Sequence, residues 1–444
     1  MRRNRVREVV TVLALITLAT HTNAQQAPQR LTIKDAIALA LKNNLNVRVA
    51  GAQMDEAAGT RERRMAALLP QVTGYTLTNR QNRNLAVAGI SFPGVPTVVG
   101  PFSYYDFRVA ANQPLIDRQA YHNWKASEKQ EQATKLDYQD MRDLVVEQAT
   151  TLYLASESAA AEVQAAQSRV STSEALEQLT RDQHTQGLAT AIDVVRAQVQ
   201  LARDRQNLLV ARDAFQTSLL TLARFLGLSP GAPLELAEQL QFRHVEIPII
   251  DQELQTALEA RSDYRALFTQ RESLVEQQKA SHARYYPKLS ISGDYGALGR
   301  NFGNMPGIGE IQGTVSITLF DRDRNGEQKE LEGRIQSLNA QIDDMARGIE
   351  QDLRKAALDL DSTDQQVVVT EAALDLAQQE LKLAEDRFRN GVTDNIEVVT
   401  AQDALARAQD DRIAALANHA IASMALARAL GATEKNYPAY LGEP

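Results

Sequence analysis

The sequence contains no cysteine. Disulfides, thiolate metal sites, cysteine nucleophiles and a lipidated N-terminal cysteine are therefore excluded. Aromatic residues are only 5% of the 444, while alanine is abundant, which points to long helices more than to a compact enzyme core. Histidine is sparse: His122, His184, His244, His282 and His419 are scattered without metal-site spacing. There is no Gly-x-Ser-x-Gly elbow and no phosphate-binding loop, and the 7 methionines form no cluster for soft metals. These absences predict a chain that is not an enzyme and holds no cofactor or metal. Basic residues are outnumbered, Lys+Arg 48 against Asp+Glu 56 for a formal charge of −8, so no nucleic-acid partner is expected.

What is present begins with an address. Arg2, Arg3, Arg5 and Arg7 precede the apolar run from Val9 to Ala19, and Thr22-Asn23-Ala24 offers small residues for cleavage. Residues 1–24 are thus predicted to be a signal peptide. The alternative is an uncleaved anchor, but the apolar run is short for a bilayer span. Losing four Arg and one Glu with it moves the net charge of −8 further negative by three. No later run approaches the ~18 apolar residues of a spanning helix. The expected mature protein is exported, and either soluble or a membrane protein of β type.

The chain also repeats itself. Gly187-Leu-Ala-Thr-Ala-Ile192-Asp-Val194-Val195-Arg-Ala197-Gln198 aligns with Gly391-Val-Thr-Asp-Asn-Ile396-Glu-Val398-Val399-Thr-Ala401-Gln402. The same register pairs Leu115, Asp117 and Arg118 with Leu319, Asp321 and Arg322, and Leu226-Gly227 with Leu430-Gly431. Pro70 matches Pro287 only after a length change, so the first copy is longer between that proline and Leu115. A tandem duplication is predicted, with repeats at 25–230 and 231–444. Each repeat reads as a helix, two strands and two helices. Thr32 with Asp35 resembles a capping box opening the first helix, which Pro70 stops.

Two periodicities carry the architecture. Ile311, Gly313, Val315, Ile317 and Leu319 alternate with Glu310, Gln312, Thr314, Ser316 and Thr318. Tyr105, Phe107, Val109 and Ala111 alternate with Asp106, Arg108, Ala110 and Asn112. This period of two fits a membrane β-barrel strand, and equally a half-buried strand of a soluble sheet. From about Arg118 to His184, and from Glu327 to Arg389 with only Gly333 and Gly348 intervening, helix breakers are missing. Along these stretches Val145, Ala149, Leu152, Ser156, Ala159, Val163, Ala166 and Val170 form one stripe. Val367, Thr370, Leu374, Ala377, Leu381, Ala384 and Phe388 form another, and both alternate steps of three and four. Such spacing specifies coiled-coil packing, and helices of this length favour the membrane reading. Four strands cannot close a barrel, for which about eight are the minimum. Three chains would supply 12; two chains, giving eight, stay open on arithmetic alone.

With these features in place, the chain resembles the TolC-like outer membrane efflux proteins, also called outer membrane factors. The carriers are Leu31-Thr-Ile-Lys-Asp-Ala-Ile-Ala-Leu-Ala-Leu-Lys-Asn43-Asn44, the junctions Gln113-Pro-Leu-Ile-Asp117 and Thr318-Leu-Phe-Asp321, and the Gly turns leading to Asp193-Val-Val and Glu397-Val-Val. The resemblance implies a mixed α+β membrane protein, a homotrimer with one 12-stranded barrel (four strands per chain) in the outer membrane. A long coiled-coil helical barrel would continue it into the periplasm. It further implies an exit duct for tripartite efflux or type I secretion, fed by an inner-membrane pump of RND, MFS or ABC type through a periplasmic adaptor. The expected surroundings are outer-membrane lipid, without a lipid anchor. Gly187, Leu188, Gly391 and Val392 match the adaptor-contacting tips of the family. Phe388 and Glu397 match an aromatic and an acid of the family's periplasmic gate, while Thr393 and Thr400 depart from its Arg and second acid. Glu397 and Asp394 are candidate lumen charges; Asp394 is alternatively a cap for the helix that follows.

Competing readings have their own marks. A periplasmic adaptor should carry one hairpin between β-rich halves, and a non-pore coiled-coil scaffold leaves the apolar strand faces unexplained. Asp321-Arg-Asp323-Arg-Asn325-Gly326, with Glu332 further on, satisfies a written EF-hand pattern but follows a strand. Gly307-Ile-Gly309-Glu-Ile-Gln-Gly313 reads as a loop between strands, and about Gln81 to Ser103 as a long external loop.

Overall fold

The structure, a computed structural model, describes residues 29–441 apart from 91 and 432. The proposed signal peptide therefore lies outside the described residues. The element order runs twice through the same plan. The first pass is β1 (Gln29–Leu31), α1 (Ile33–Asn43), α2 (Leu45–Ala66), β2 (Gln71–Asn84), β3 (Val98–Ile116), α3 (Arg118–Thr185) and α4 (Ala191–Phe225). The second is β4 (Leu234–Leu236), α5 (Ile250–Ala260), α6 (Ser262–His282), β5 (Lys288–Gly299), β6 (Gly307–Ser316), α7 (Asp323–Arg389) and α8 (Asn395–Leu430), closed by α9 (Thr433–Leu441).

The capping box forms as expected. Asp35 N donates to Thr32 Oγ1 at 3.1 Å, and Thr32 N donates to Asp35 Oδ2 at 3.3 Å. The helix it opens does not run unbroken to Pro70, however. Asn44 adopts an extended ψ of 136° between α1 and α2, and Arg261 does the same at 120° between α5 and α6. The cause is tertiary. Asn44 Nδ2 donates to the Phe225 carbonyl at 3.0 Å, while its Oδ1 accepts from Asn46 N and starts α2. Gly227 and Gly431, the repeated Leu-Gly pairs, sit at these two breaks with φ of +70° and +84°. A Cβ on Gly227 would lie 2.7 Å from Asn43 Cβ, and one on Gly431 would lie 3.0 Å from Ala260 Cβ.

The bend lets α1 pack back against α3. Leu31, Ile33, Ala36, Ile37 and Ala40 meet Val145, Val146, Ala149, Tyr153, Leu222 and Leu226 in the largest buried cluster. Tyr153 in its centre donates to the Leu31 carbonyl at 2.9 Å. Beside it β1 pairs parallel with β4, a short sheet joining the two repeats that no alternation pattern announced.

The long helices α3 and α7 have 68 and 67 residues, each about 100 Å long at ~1.5 Å per residue. Each folds back on a partner, α4 or α8, and both predicted stripes are buried or half-buried along their whole length. One expectation needs correcting here. An 18-residue window of α8 reaches a mean hydropathy of 1.4, enough to span a membrane by length and composition. Since 61% of that window is buried inside the protein, α8 is read as a core helix.

The four remaining strands form one antiparallel sheet in the order β2-β3-β5-β6. Two loop expectations change with it. β2 and β3 run out to Asn84 and Val98, past a register shift between Gln81 and Arg83, so the loop between them is shorter than expected. Gly307–Gly313 is not a loop but the body of β6, paired from Gly307 opposite Ala297. The glycines are there for Tyr295: a Cβ on Gly307 would lie 2.8 Å from its hydroxyl, and one on Gly309 3.1 Å from its ring.

Candidate functional site: a two-faced sheet and a double-hairpin tip

Register assigns the two faces of the sheet. Residues directly opposite across neighbouring strands share a face. Val72, Ala111, Gly293 and Ile311 form one row, and Gly74, Val109, Tyr295 and Gly309 the next. Ile311 is 84% exposed and Tyr295 72%, so this apolar face has no cover among the described residues. Near its far end Tyr105 stacks on Phe302 with centroids 4.5 Å apart, an aromatic group of the sort that marks a membrane interface.

The opposite face is mostly polar. Thr73, Ala110, Asp294 and Glu310 align across the sheet, as do Gln71, Asn112, Ser292 and Gln312. Arg108 binds Asp106 and Asp294, each at 2.8 Å, and so cross-links neighbouring strands. At both margins, β2 and β6 have no second strand beside them among the described residues. An apolar exposed face, a polar one and two open edges are what a segment of a barrel wall requires.

At the sheet-to-helix junction, Arg284 answers the calcium-like motif. Its guanidinium lies 3.0 Å from both Asp321 and Asp323, and Asp323 already begins α7. Asp321 and Asp323, the first two acids of the motif, are thus engaged by an arginine. Among the described residues no group of three or more His, Asp or Glu is arranged to hold a metal.

The far ends of the hairpins are two near-copies. Gly187 and Gly391 have φ of +76° and +71°. The following amides fold back, Leu188 N to the Gln183 carbonyl at 2.8 Å and Val392 N to the Arg387 carbonyl at 2.9 Å. Both Leu188 and Val392 are left well exposed. The next helices start with caps: Thr190 and Asp193 form a capping box, and Asp394 Oδ1 accepts from Ile396 N at 3.3 Å. Asp394 thus acts as a cap, the alternative given from sequence.

Glu397 lies beside Arg387, 3.2 Å away. The Thr393 hydroxyl, followed by the Arg387 charge, holds its carboxyl below the usual glutamate range. Thr393, the departure from the family pattern, therefore supports the acid by hydrogen bonding. Phe388 is placed elsewhere. It is 4% exposed, packed with Leu176, Leu381, Ala384, Val398 and Ala401. Its heptad position decides this, so within the chain it does not line an opening.

Two residues that the sequence reading missed tie the tips together. Asn395 Nδ2 donates to the Asp193 carbonyl at 2.6 Å, and Gln200 Nε2 donates to Asp403 Oδ1 at 3.2 Å. Their only signal was position, next to a cap and one helical face along from it.

The sequence model of the family described as outer membrane efflux protein matches residues 36–228 and 254–432, well over half of the chain and one stretch in each repeat. The chain belongs to the outer membrane efflux protein family. Among relatives of this outer membrane efflux protein, the toluene efflux pump outer membrane protein TtgC of Pseudomonas putida is 22% identical over 429 residues. That alignment covers 90% of this chain and 82% of TtgC. The antibiotic efflux pump outer membrane protein ArpC of Pseudomonas putida matches equally, at 22%. Of solved structures, the outer membrane protein VceC of Vibrio cholerae is 17% identical with a TM-score of 0.77, covering 90% of this chain and 96% of VceC. The CmeC outer membrane channel of Campylobacter jejuni gives 15% and 0.79, covering 92% and 89%. These likenesses establish that the efflux protein has the fold of outer membrane channels.

Proposed function

We propose that three copies of this chain close one 12-stranded barrel in the outer membrane and continue it as a helical tunnel into the periplasm. The observation that carries the reading is the four-stranded sheet with an apolar exposed face, a polar face and two unpaired edges. Four strands cannot satisfy their edges in lipid, and joining β6 of one copy to β2 of the next removes every edge at once. Three copies give an even strand number within the range of known barrels.

The protein then acts as the exit duct of a tripartite efflux or type I secretion system. The partners would be an inner-membrane pump of RND, MFS or ABC type and a periplasmic adaptor. TtgC and ArpC are named as parts of efflux pumps, which supports this assignment over an adaptor or a scaffold. A second hairpin and a sheet of this length count against both alternatives. We place the adaptor at the tips, where Leu188 and Val392 stand exposed beside Gly187 and Gly391. Glu397, with Asp394 beside it, would give the tip its negative charge, and Phe388 would act on it only from within the hairpin. Residues 1–24 serve as the export signal in this reading, and the repeats divide between 230 and 231.

The test is planar-bilayer conductance of detergent-purified protein, with the mass of the same particle measured by light scattering. Trimers that insert and conduct agree with the duct. A water-soluble particle that never inserts would leave a scaffold as the better reading.

A further inference from the structure

Between the sheet and the tips, a cavity of about 500 Å³ opens between the start of α1, α3, α8, α9 and the segment after β4. Its apolar side is formed by Ile33, Leu154, Leu240 and Tyr440, and its acidic side by Glu157 and Glu238. Glu157 is only 5% exposed, and its Oε1 is buried with no hydrogen-bond partner among the described residues. Glu238 is committed in part to the N-terminus of α1, accepting from Ile33 N at 3.4 Å. A buried carboxylate oxygen without a partner is costly, and a cation is what relieves it.

Among the described residues, neither His419 nor Arg243 supplies that cation to Glu157. His419 is engaged on both sides, with Nε2 2.7 Å from the Arg243 carbonyl and Nδ1 3.4 Å from Thr363 Oγ1. Arg243 lines the cavity too, but the groups acting on the Glu157 carboxyl are Glu238 and the Tyr153 hydroxyl, not its guanidinium. Two carboxylates beside an apolar wall make a poor cage for a hard divalent ion, which takes six or more oxygens or keeps its waters. An ammonium on an apolar body suits both walls, with Tyr440 at hand for its face.

We propose that this cavity binds a small organic cation, a protonated amine on an apolar body, with Glu157 as its counter-ion. The site is separate from the duct and does not depend on that reading. Burial, then the charge of Glu238, pushes the Glu157 carboxyl up to about 7 against the opposing Tyr153 hydroxyl. Protons therefore compete with the amine. The other groups facing it are Arg243 on the segment after β4, His419 on α8 and Tyr440 on α9.

The experiment is titration calorimetry of the full-length, detergent-solubilised protein with phenethylammonium, and with 2-phenylethanol as its neutral counterpart. The expected result is saturable amine binding at pH 8, about tenfold weaker at pH 6 as the Glu157 carboxylate takes up a proton. Binding should be lost in Glu157→Gln, and the alcohol should give none. Absence of amine binding, equal binding of the alcohol, or unchanged binding by Glu157→Gln overturns the proposal. Should Glu157→Gln fail to assemble, Ala420→Phe fills the cavity from its wall, and amine binding that survives there overturns it as well.

Discussion

The side-chain amide of Asn395 donates to the backbone carbonyl of Asp193 at 2.6 Å, with Asn395 fully buried between the two hairpin tips. One hydrogen bond thus joins the cap of one hairpin to the start of the other, across residues 202 apart in sequence. Asp193 is itself held in the Thr190 capping box, so the bond locks a carbonyl whose position is already fixed.

Asn395→Leu should loosen the tips without unfolding the chain. The Asp193 carbonyl would lose its buried donor, a cost of about 1–3 kcal/mol. Hydrogen exchange in peptides covering 187–200 and 391–403 should accelerate by roughly tenfold to a hundredfold, while peptides from α1 and the sheet stay unchanged. Unchanged protection at the tips would mean that the bond contributes nothing there.

The tip charge has a defined pH range. Glu397 sits below its usual range because of Thr393 and Arg387, so its charge is complete at neutral pH and persists as pH falls through the ordinary glutamate value. Only below that does it protonate. Cation preference in bilayer reversal potentials should therefore hold from pH 7 to pH 5. The double variant Glu397→Gln with Asp394→Asn should shift the reversal potential towards zero, and an unchanged potential would remove these residues from the conduction path.

Two glycines of like backbone should respond differently to alanine. Gly187 and Gly227 both have positive φ, which costs an L-residue about 1–2 kcal/mol. Around Gly187 nothing lies within 4 Å of a new Cβ, whereas at Gly227 it meets Asn43 at 2.7 Å. Gly187→Ala should lower the melting temperature only slightly, and Gly227→Ala several degrees more, as read by circular dichroism.

Arg261 holds the second helix break in a buried ionic cluster. It contacts Asp263 at 2.6 Å and Asp352 at 3.2 Å, and Arg428 approaches Asp263 from behind at 3.8 Å. Burial opposes the Asp263 charge, but Arg261 and then Arg428 outweigh it and hold the carboxyl below the usual aspartate range. Its contribution to stability is therefore present above the ordinary aspartate value and lost as pH falls through the lowered one. Arg261→Met should cost about 1–3 kcal/mol at pH 7, because Asp263 loses its two guanidinium hydrogen bonds and keeps Arg428 at 3.8 Å as its counter-charge. In urea unfolding the difference from wild type should shrink as pH falls through the lowered aspartate value, where Asp263 protonates.

Whatever is written within one element could be read from the order of its residues. The heptad stripes, the missing helix breakers, the Thr32–Asp35 cap, the strand alternation and the Gly turns depend on neighbours a few residues away. All of them appear in the structure close to where the pattern places them, because local periodicity is imposed by helix and strand geometry. The duplication added the plan, since the same signals recur in the same order.

How distant residues share space was set by long-range packing. Asn44 and Arg261 interrupt their helices because Phe225 in one case, and Asp352 in the other, waits at a contact that the local sequence does not contain. The pairing of β1 with β4 is of the same kind, joining residues about two hundred positions apart. Phe388 belongs both to a heptad stripe and to the match with the family's gate, and within one chain it packs in a cluster with Leu176 of the other hairpin. Glu157 and its cavity were invisible for the same reason: a carboxylate becomes unusual through what surrounds it, and those surroundings come from five separate parts of the chain.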